Sequence, residues 1–221
     1  MTTTSPAATL DPPDVRRPDD AAVFVSHWYV PDREFGLAAL REVVDAWTAT
    51  PWPAGVLALS CYLGTDGDTV LTYAQCTDAG AYRALLGRLS GRAAAEAVEY
   101  RLHRSIVLDT SGRAPGTVIV ATFDVDGPDR QRFIVNSIAD SIEELPAAQH
   151  PGMLSANFHV SRDGTRVLNY AEWTTDRAHD EFLAGATHVT TRRISTSIPG
   201  VRPIGFRRFH LYRSVRADRV R

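Results

Sequence analysis

A chain of 221 residues with 44% hydrophobic and 23% charged side chains can bury one large core or two small ones, and a net charge of −2 creates no general field for nucleic acid or an anionic membrane. All 24 basic residues are arginine, which excludes Schiff-base chemistry, pyridoxal phosphate attachment and a Walker lysine. No window approaches the run of about 18 apolar residues that a membrane span needs, the amino terminus lacks the apolar segment of a secretory signal, and Cys61 and Cys76 are badly placed for a disulfide, so a cytoplasmic protein is expected.

Residues 1–20 are rich in Pro, Thr and Asp and read as a disordered leader. Residues 22–30 have the β-branched and aromatic character of a strand. Leu37, Leu40, Val44 and Trp47 then recur on one face of a helix that Pro51 and Pro53 end. A hairpin follows at 55–64 with 69–76, turning at Asp66-Gly67, then a helix after Thr77 and a last strand near 100–108. The order begins again with a strand at 118–125 and a helix carrying Ile134, Ile138, Ile142 and Leu145. A hairpin at 152–161 with 165–173, a helix after Thr175 and a strand near 205–215 complete it.

The letters repeat as well as the pattern. Shifted by 97 residues, 55–86 falls on 152–183 without a gap and with 11 identities in 32 positions, among them Asp66-Gly67 on Asp163-Gly164 and Tyr73-Ala74 on Tyr170-Ala171. The expected fold is therefore α+β: two ferredoxin-like βαββαβ domains, 21–110 and 118–216, joined by a linker at 111–117. The sheet face away from the helices is expected to be apolar, with Leu154, Ala156, Phe158 and Leu168, and to be buried against the other domain's sheet. That makes a pseudo-dimer within one chain and leaves a further homodimer open.

Asn169 and Trp173 lie four residues apart on one strand and point to one face. An amide and an indole there need hydrogen-bond partners or a ligand. If Arg162-Asp163-Gly164 form a three-residue loop with Gly164 left-handed, Ser161 pairs with Thr165, and Ser155, Asn157, His159, Asn169 and Trp173 share the face under the helices. A two-residue loop would send His159 to the opposite face. The three-residue register gathers the polar residues and is preferred, which implies a cleft between sheet and helices that Asn136 could also reach. In the first copy Tyr62, Thr72 and Cys76 stand where the second has His159, Asn169 and Trp173, so that copy is a scaffold that lost the signature or a pocket tuned to a different ligand; scaffold is the preferred reading, with one principal site per chain. His27 reads as a core histidine. His103, His150, His188 and His210 show no i,i+4 pairing or cysteine partners, so no metal site is expected. GxGxxG, Walker A and GxSxG motifs are missing.

The run F-H-x-S-x-D-G-T-x-x-x-N-Y-A-x-W, Phe158 to Trp173, resembles the antibiotic biosynthesis monooxygenase family of dimeric α/β-barrel proteins, across both copies and most strongly in 151–183. The resemblance implies an intramolecular α/β-barrel. It also implies oxidation of a phenolic, anthrone or quinol-type aromatic polyketide to a quinone by O₂, without metal, haem or flavin. It assigns catalytic roles to Asn169, Trp173, His159 and Arg193, with Arg192 as the neighbouring alternative. The family's tyrosine six positions after the tryptophan is replaced by His179, and Tyr82 stands at the corresponding place in the first copy. His159 or His179 is then the expected base, Asn169 and Arg193 the oxyanion donors, and Trp173 a flat wall; Ser155, Asn157, Asn136 and Tyr82 are substrate-binding candidates. Two other readings remain: haem degradation, with His188 as iron ligand, and a non-oxidative polyketide-binding or cyclase-like module.

Overall fold

A computed structural model describes residues 6–146, 149–185, 193–194 and 196–217. The fold is α+β and its registered strand pairs are antiparallel. Its strands are β1 (Pro6–Thr9), β2 (Ala22–Tyr29), β3 (Val56–Gly64), β4 (Thr69–Cys76), β5 (Val98–Val107), β6 (Thr117–Val125), β7 (Met153–Ser161), β8 (Arg166–Trp173) and β9 (Val201–Ala217). Helix α1 (Arg33–Ala49) follows β2, α2 (Ala79–Leu86) follows β4, α3 (Pro128–Glu143) follows β6 and α4 (Asp176–Leu183) follows β8. Local chemistry starts each helix. Asp32, Asp78 and Thr175 are N-caps whose side chains accept from the Phe35, Ala81 and Ala178 amides, satisfying donors the helix cannot. Pro128 opens α3, where its missing N–H would have had no partner.

Two compact units are present, Met1–Tyr100 with Phe209–Arg221, and Arg101–Arg208. In the first, α1 lays Leu40, Val43, Val44 and Trp47 into a core with Phe24, Leu59, Val70 and Ala74. Its sheet includes Phe209–Ala217 of β9, which pair with β3 from Ala58↔Arg216 to Gly64↔Phe209. Residues 6–20 are not the disordered leader expected from composition. β1 pairs with β9 from Pro6↔Ala217 to Thr9↔Ser214, Val15 is buried, and Gln75 Nε2 donates to the Asp14 carbonyl and to Asp20 Oδ2, both at 2.8 Å. Pro13 and Val15, both buried, supply the apolar anchor that the Pro-Asp composition hid. His27 is exposed on β2, not a core histidine.

In the second unit β8 lies between β6 and β7, and α3 buries Ile134, Val135, Ile138 and Ile142 against Ile119, Phe123, Ala156 and Phe158. Compact units and sequence copies do not coincide: the chain passes from one unit to the other inside β5, at Tyr100–Arg101, and inside β9, at Arg208–Phe209. Each of these long strands gives its two halves to different units. The limits 21–110 and 118–216 assumed that each copy keeps its own last strand; β9, with 17 residues, is long enough to contribute to both units.

Candidate functional site

The β7–β8 hairpin sets which side chains meet under the helices, and its register differs by one residue from the expected one. Phe158 is opposite Asn169, Asn157 opposite Tyr170 and His159 opposite Leu168. The turn holds four residues, Arg162–Thr165, between the strands. Side-chain hydrogen bonds replace strand rungs there. Asp163 Oδ1 accepts from Ser161 Oγ (2.6 Å), the Thr165 amide (3.0 Å) and Thr165 Oγ1 (2.8 Å), while Ser161 Oγ accepts from the Arg166 amide (2.8 Å). Buried Gln131 of α3 ties the turn down by donating to the carbonyls of Ser161 (3.0 Å) and Arg166 (2.8 Å). Gly164 is left-handed, φ +81°, and an added Cβ would meet Pro128 at 3.0 Å.

A one-residue shift turns every β7 side chain over. Ser155, Asn157 and His159 therefore lie on the face away from Asn169 and Trp173, and Ala156 and Phe158 take the helix side. The three polar residues are buried and satisfied where they are. Asn157 Nδ2 donates to Ser155 Oγ (2.8 Å) and the Tyr170 carbonyl (3.1 Å), and its Oδ1 accepts from Ser105 Oγ (2.8 Å). Ser155 donates to Glu172 (2.6 Å). His159 is 0% exposed, its Nδ1–H donates to the Asn157 carbonyl (3.1 Å), and burial pushes its pKa down to about 4. None of the three lines the cavity, which removes His159 as the base and Ser155 and Asn157 as substrate contacts.

The cavity in the second unit has a volume of about 340 Å³. Ile119, Ala121 and Phe123 of β6, Phe158 of β7, Ile138 and Ile142 of α3, and Phe182 and Leu183 of α4 make its walls apolar. Asn169, Trp173 and His179 bring the polar groups, as β8 and α4 were expected to do. A bulge between Met153 and Ser155 sets Met153 opposite Trp173, so Met153 joins the lining. Trp173 is 1% exposed and contacts His179 edge-on (5.1 Å between centroids, 70° between planes) and Phe182 at 5.2 Å. Its Nε1 and Asn169 Oδ1 are buried and have no hydrogen-bond partner among the described residues. Such orphans cost about 1–3 kcal/mol each unless a ligand or water satisfies them.

His179 is 3% exposed and is the single ionisable side chain among the described residues that line the cavity. Arg208 Nη2 lies 3.1 Å from its Nδ1. The Arg208 guanidinium also hydrogen-bonds Asp180 and stands 3.8 Å from Asp176. Arg193 is exposed and does not line the cavity, contrary to its expected part in holding an oxyanion. Asn136 faces solvent on α3 and accepts from Arg104 Nη1 at 3.3 Å, so it does not reach the cleft. Arg192 and His188 lie outside the described residues. Arg208, Gln131 and Met153 escaped the sequence reading. Arg208 was hidden in an arginine-rich stretch that reads as solvated edge, and the spacing Gln131…Ser161 carries no local signal.

The corresponding region of the first unit is filled. Tyr82, 97 positions before His179, stacks on Phe24 at 3.9 Å and 10°, and the space beside it is about 10 Å³. Thr72 there hydrogen-bonds Ser26 (2.6 Å), and burial pushes the Tyr82 phenol up and the Cys76 thiol up to about 12. Tyr82 is a core residue of that unit and has no room beside it for a substrate.

The chain matches no known family profile. It is 40% identical over 66 residues to the tetracenomycin-F1 monooxygenase of Streptomyces glaucescens, an alignment that spans 30% of this chain and about half, 54%, of that relative. In fold it resembles an anthrone oxidase-like protein, with a TM-score of 0.68 at 15% identity over 89% of this chain and 93% of the other. It also resembles a ferredoxin-fold protein of Listeria monocytogenes related to antibiotic biosynthesis monooxygenases, with a TM-score of 0.51 at 13% identity over 86% and 94% of the two chains. At 13–15% identity these structural likenesses are likenesses of fold. Among the described residues no helix is long and apolar enough to cross a membrane.

Proposed function

We propose that the second unit is the active site of a cofactor-independent monooxygenase that oxidises a phenolic, anthrone or quinol-type polyketide intermediate to a quinone. One observation carries this reading: an apolar cavity of about 340 Å³, with aromatic walls, gathers an amide, an indole with an unpaired N–H and a histidine. A volume at the low end of the ~300–1,000 Å³ usual for small-molecule sites suits one flat fused-ring molecule. The tetracenomycin-F1 monooxygenase supports it as a sequence relative, though only over about half of that protein.

Such a substrate supplies its own reducing power. Ionised at the phenol, it becomes an electron-rich carbanion equivalent that passes one electron to O₂. The substrate radical and superoxide combine to form a C–O bond, and the peroxide takes up a proton. Loss of water then leaves a carbonyl. The balance is R₂CH₂ + O₂ → R₂C=O + H₂O. The residues at the cavity would hold the ring between Trp173 and the aliphatic wall and stabilise the oxyanion by N–H donors already in place, which is where preorganised sites gain most. The test is oxygen uptake with anthrone in chelator-treated buffer without flavin. One O₂ consumed per quinone formed is expected; anthrone that binds but is oxidised no faster than in buffer overturns the reading.

A further inference from the structure

The cavity opens at β9. Of the described residues that line it, Pro203, Gly205 and Phe206 are exposed, whereas Ile138, Phe158 and Trp173 are buried. The exposed three belong to one short stretch of chain, so the mouth lies there. Successive strand residues face opposite ways, yet Gly205 and Phe206 both line the cavity. The alternation breaks at Gly205, whose φ of +138° is a backbone that residues with a side chain rarely adopt. Phe206 is 46% exposed, a large apolar ring left in water at the edge of an apolar cavity. It stands edge-on to His179, with 5.3 Å between centroids and 84° between planes. Ring by ring, the contacts lead from the buried Trp173 indole through His179 to Phe206 at the mouth.

We infer that Phe206 is a specificity-determining residue, a platform at the cavity mouth for the far ring of an extended fused-ring substrate. It selects such molecules over those small enough to sit wholly inside. A ligand of two fused rings fills the part of the cavity beside Trp173, whereas one of four rings reaches the mouth and covers Phe206. Covering it removes apolar surface of both ring and ligand from water, and an offset or edge-on ring contact adds to that gain. The far ring lies beside exposed chain, so groups carried at that end stay hydrated and polar substituents are tolerated there. That such a ligand is the substrate rests on the oxygenase reading; the preference in binding does not.

Fluorescence titration with 2-naphthol and with 1-hydroxypyrene tests the preference without any turnover. Phe206→Ala should weaken binding of 1-hydroxypyrene about tenfold and leave that of 2-naphthol within about twofold of wild type. Phe206→Tyr keeps the flat ring and should bind both as the wild-type protein does. Ile204 is 60% exposed on the same stretch but does not line the cavity, so Ile204→Ser should change neither. Equal weakening of the two ligands by Phe206→Ala, as a general disturbance of the His179 contact would produce, overturns the inference. So does unchanged binding of 1-hydroxypyrene, or a loss in Ile204→Ser as large as in Phe206→Ala. In oxygen uptake with anthrone, Phe206→Ala should raise KM and keep kcat, the mark of binding lost equally from substrate and transition state. An active oxygenase in which Phe206→Ala leaves both ligand affinities and KM untouched would sink this inference alone. A protein that shows the ligand preference but consumes no oxygen would sink the oxygenase reading alone.

Discussion

Asn169 and Trp173 each leave a buried polar atom unpaired among the described residues, in a wall that is mostly hydrocarbon. With the Asn169 amide N–H and the Trp173 indole N–H as the oxyanion donors, Asn169→Ala and Trp173→Phe should each lower kcat/KM for anthrone by about 10²-fold, with unchanged circular dichroism; near-normal rates in both variants would exclude them from catalysis. His159 has a different consequence, in stability. Its folded-state pKa is down at about 4, against 6.5 for the free side chain. Above about pH 6.5 both states hold a neutral ring. As pH falls from there towards 4 the unfolded chain takes up a proton that the folded one refuses, so stability drops with acidification, by about 3 kcal/mol in total. Asp20 works in the opposite sense, since burial pushes its carboxyl up to about 6 and its contribution is lost as pH rises from 3.8 to that value. Urea midpoints between pH 7 and 4 in wild type and His159→Phe separate the two: the variant should lose the acid-side decline that belongs to the imidazole.

The elements show where hydrogen bonds outside the strands decide a register. The β7–β8 hairpin has the Asp-Gly and the left-handed glycine that its sequence announces, yet Asp163, Ser161 and Gln131 stretch the loop to four residues. That one residue sends His159 to one face and Phe158 to the other. The amino-terminal segment is a second case. Deleting residues 1–20 should destabilise the protein by about 2–4 kcal/mol, through the lost burial of Val15 and the stranded Gln75 side chain. A denaturation midpoint unmoved by the deletion would show the segment to be as dispensable as its composition suggests.

At the scale of the whole molecule, the long strands make each unit depend on the other half of the chain. Phe209–Ala217 belong to the first unit's sheet although they follow the second unit in sequence. A chain stopped at residue 110 leaves β3 with a bare edge of buried-type residues, and such edges associate. That fragment should be recovered as oligomers or aggregates, and co-expression with residues 111–221 should restore a soluble complex; a stable, monodisperse 1–110 monomer would contradict the division into units.

Strands and helices, the repeated βαββαβ order and the pairing of Asn169 with Trp173 were all legible in the sequence, because periodicity, capping residues and identity at a fixed shift are properties of short stretches. The site's second half was not. Arg208 reaches His179 from 29 residues away, and Gln131 sets a turn 30 residues downstream. Neither distance leaves a local mark. The exclusion of His159, Asn157, Ser155, Asn136 and Arg193 from the cavity, the division of β5 and β9 between the units and the contact of Arg208 with His179 were decided by tertiary structure alone. Each depends on a register, a strand shared between units or a single hydrogen bond, which becomes definite when distant parts of the chain are brought within 3 Å or so of one another.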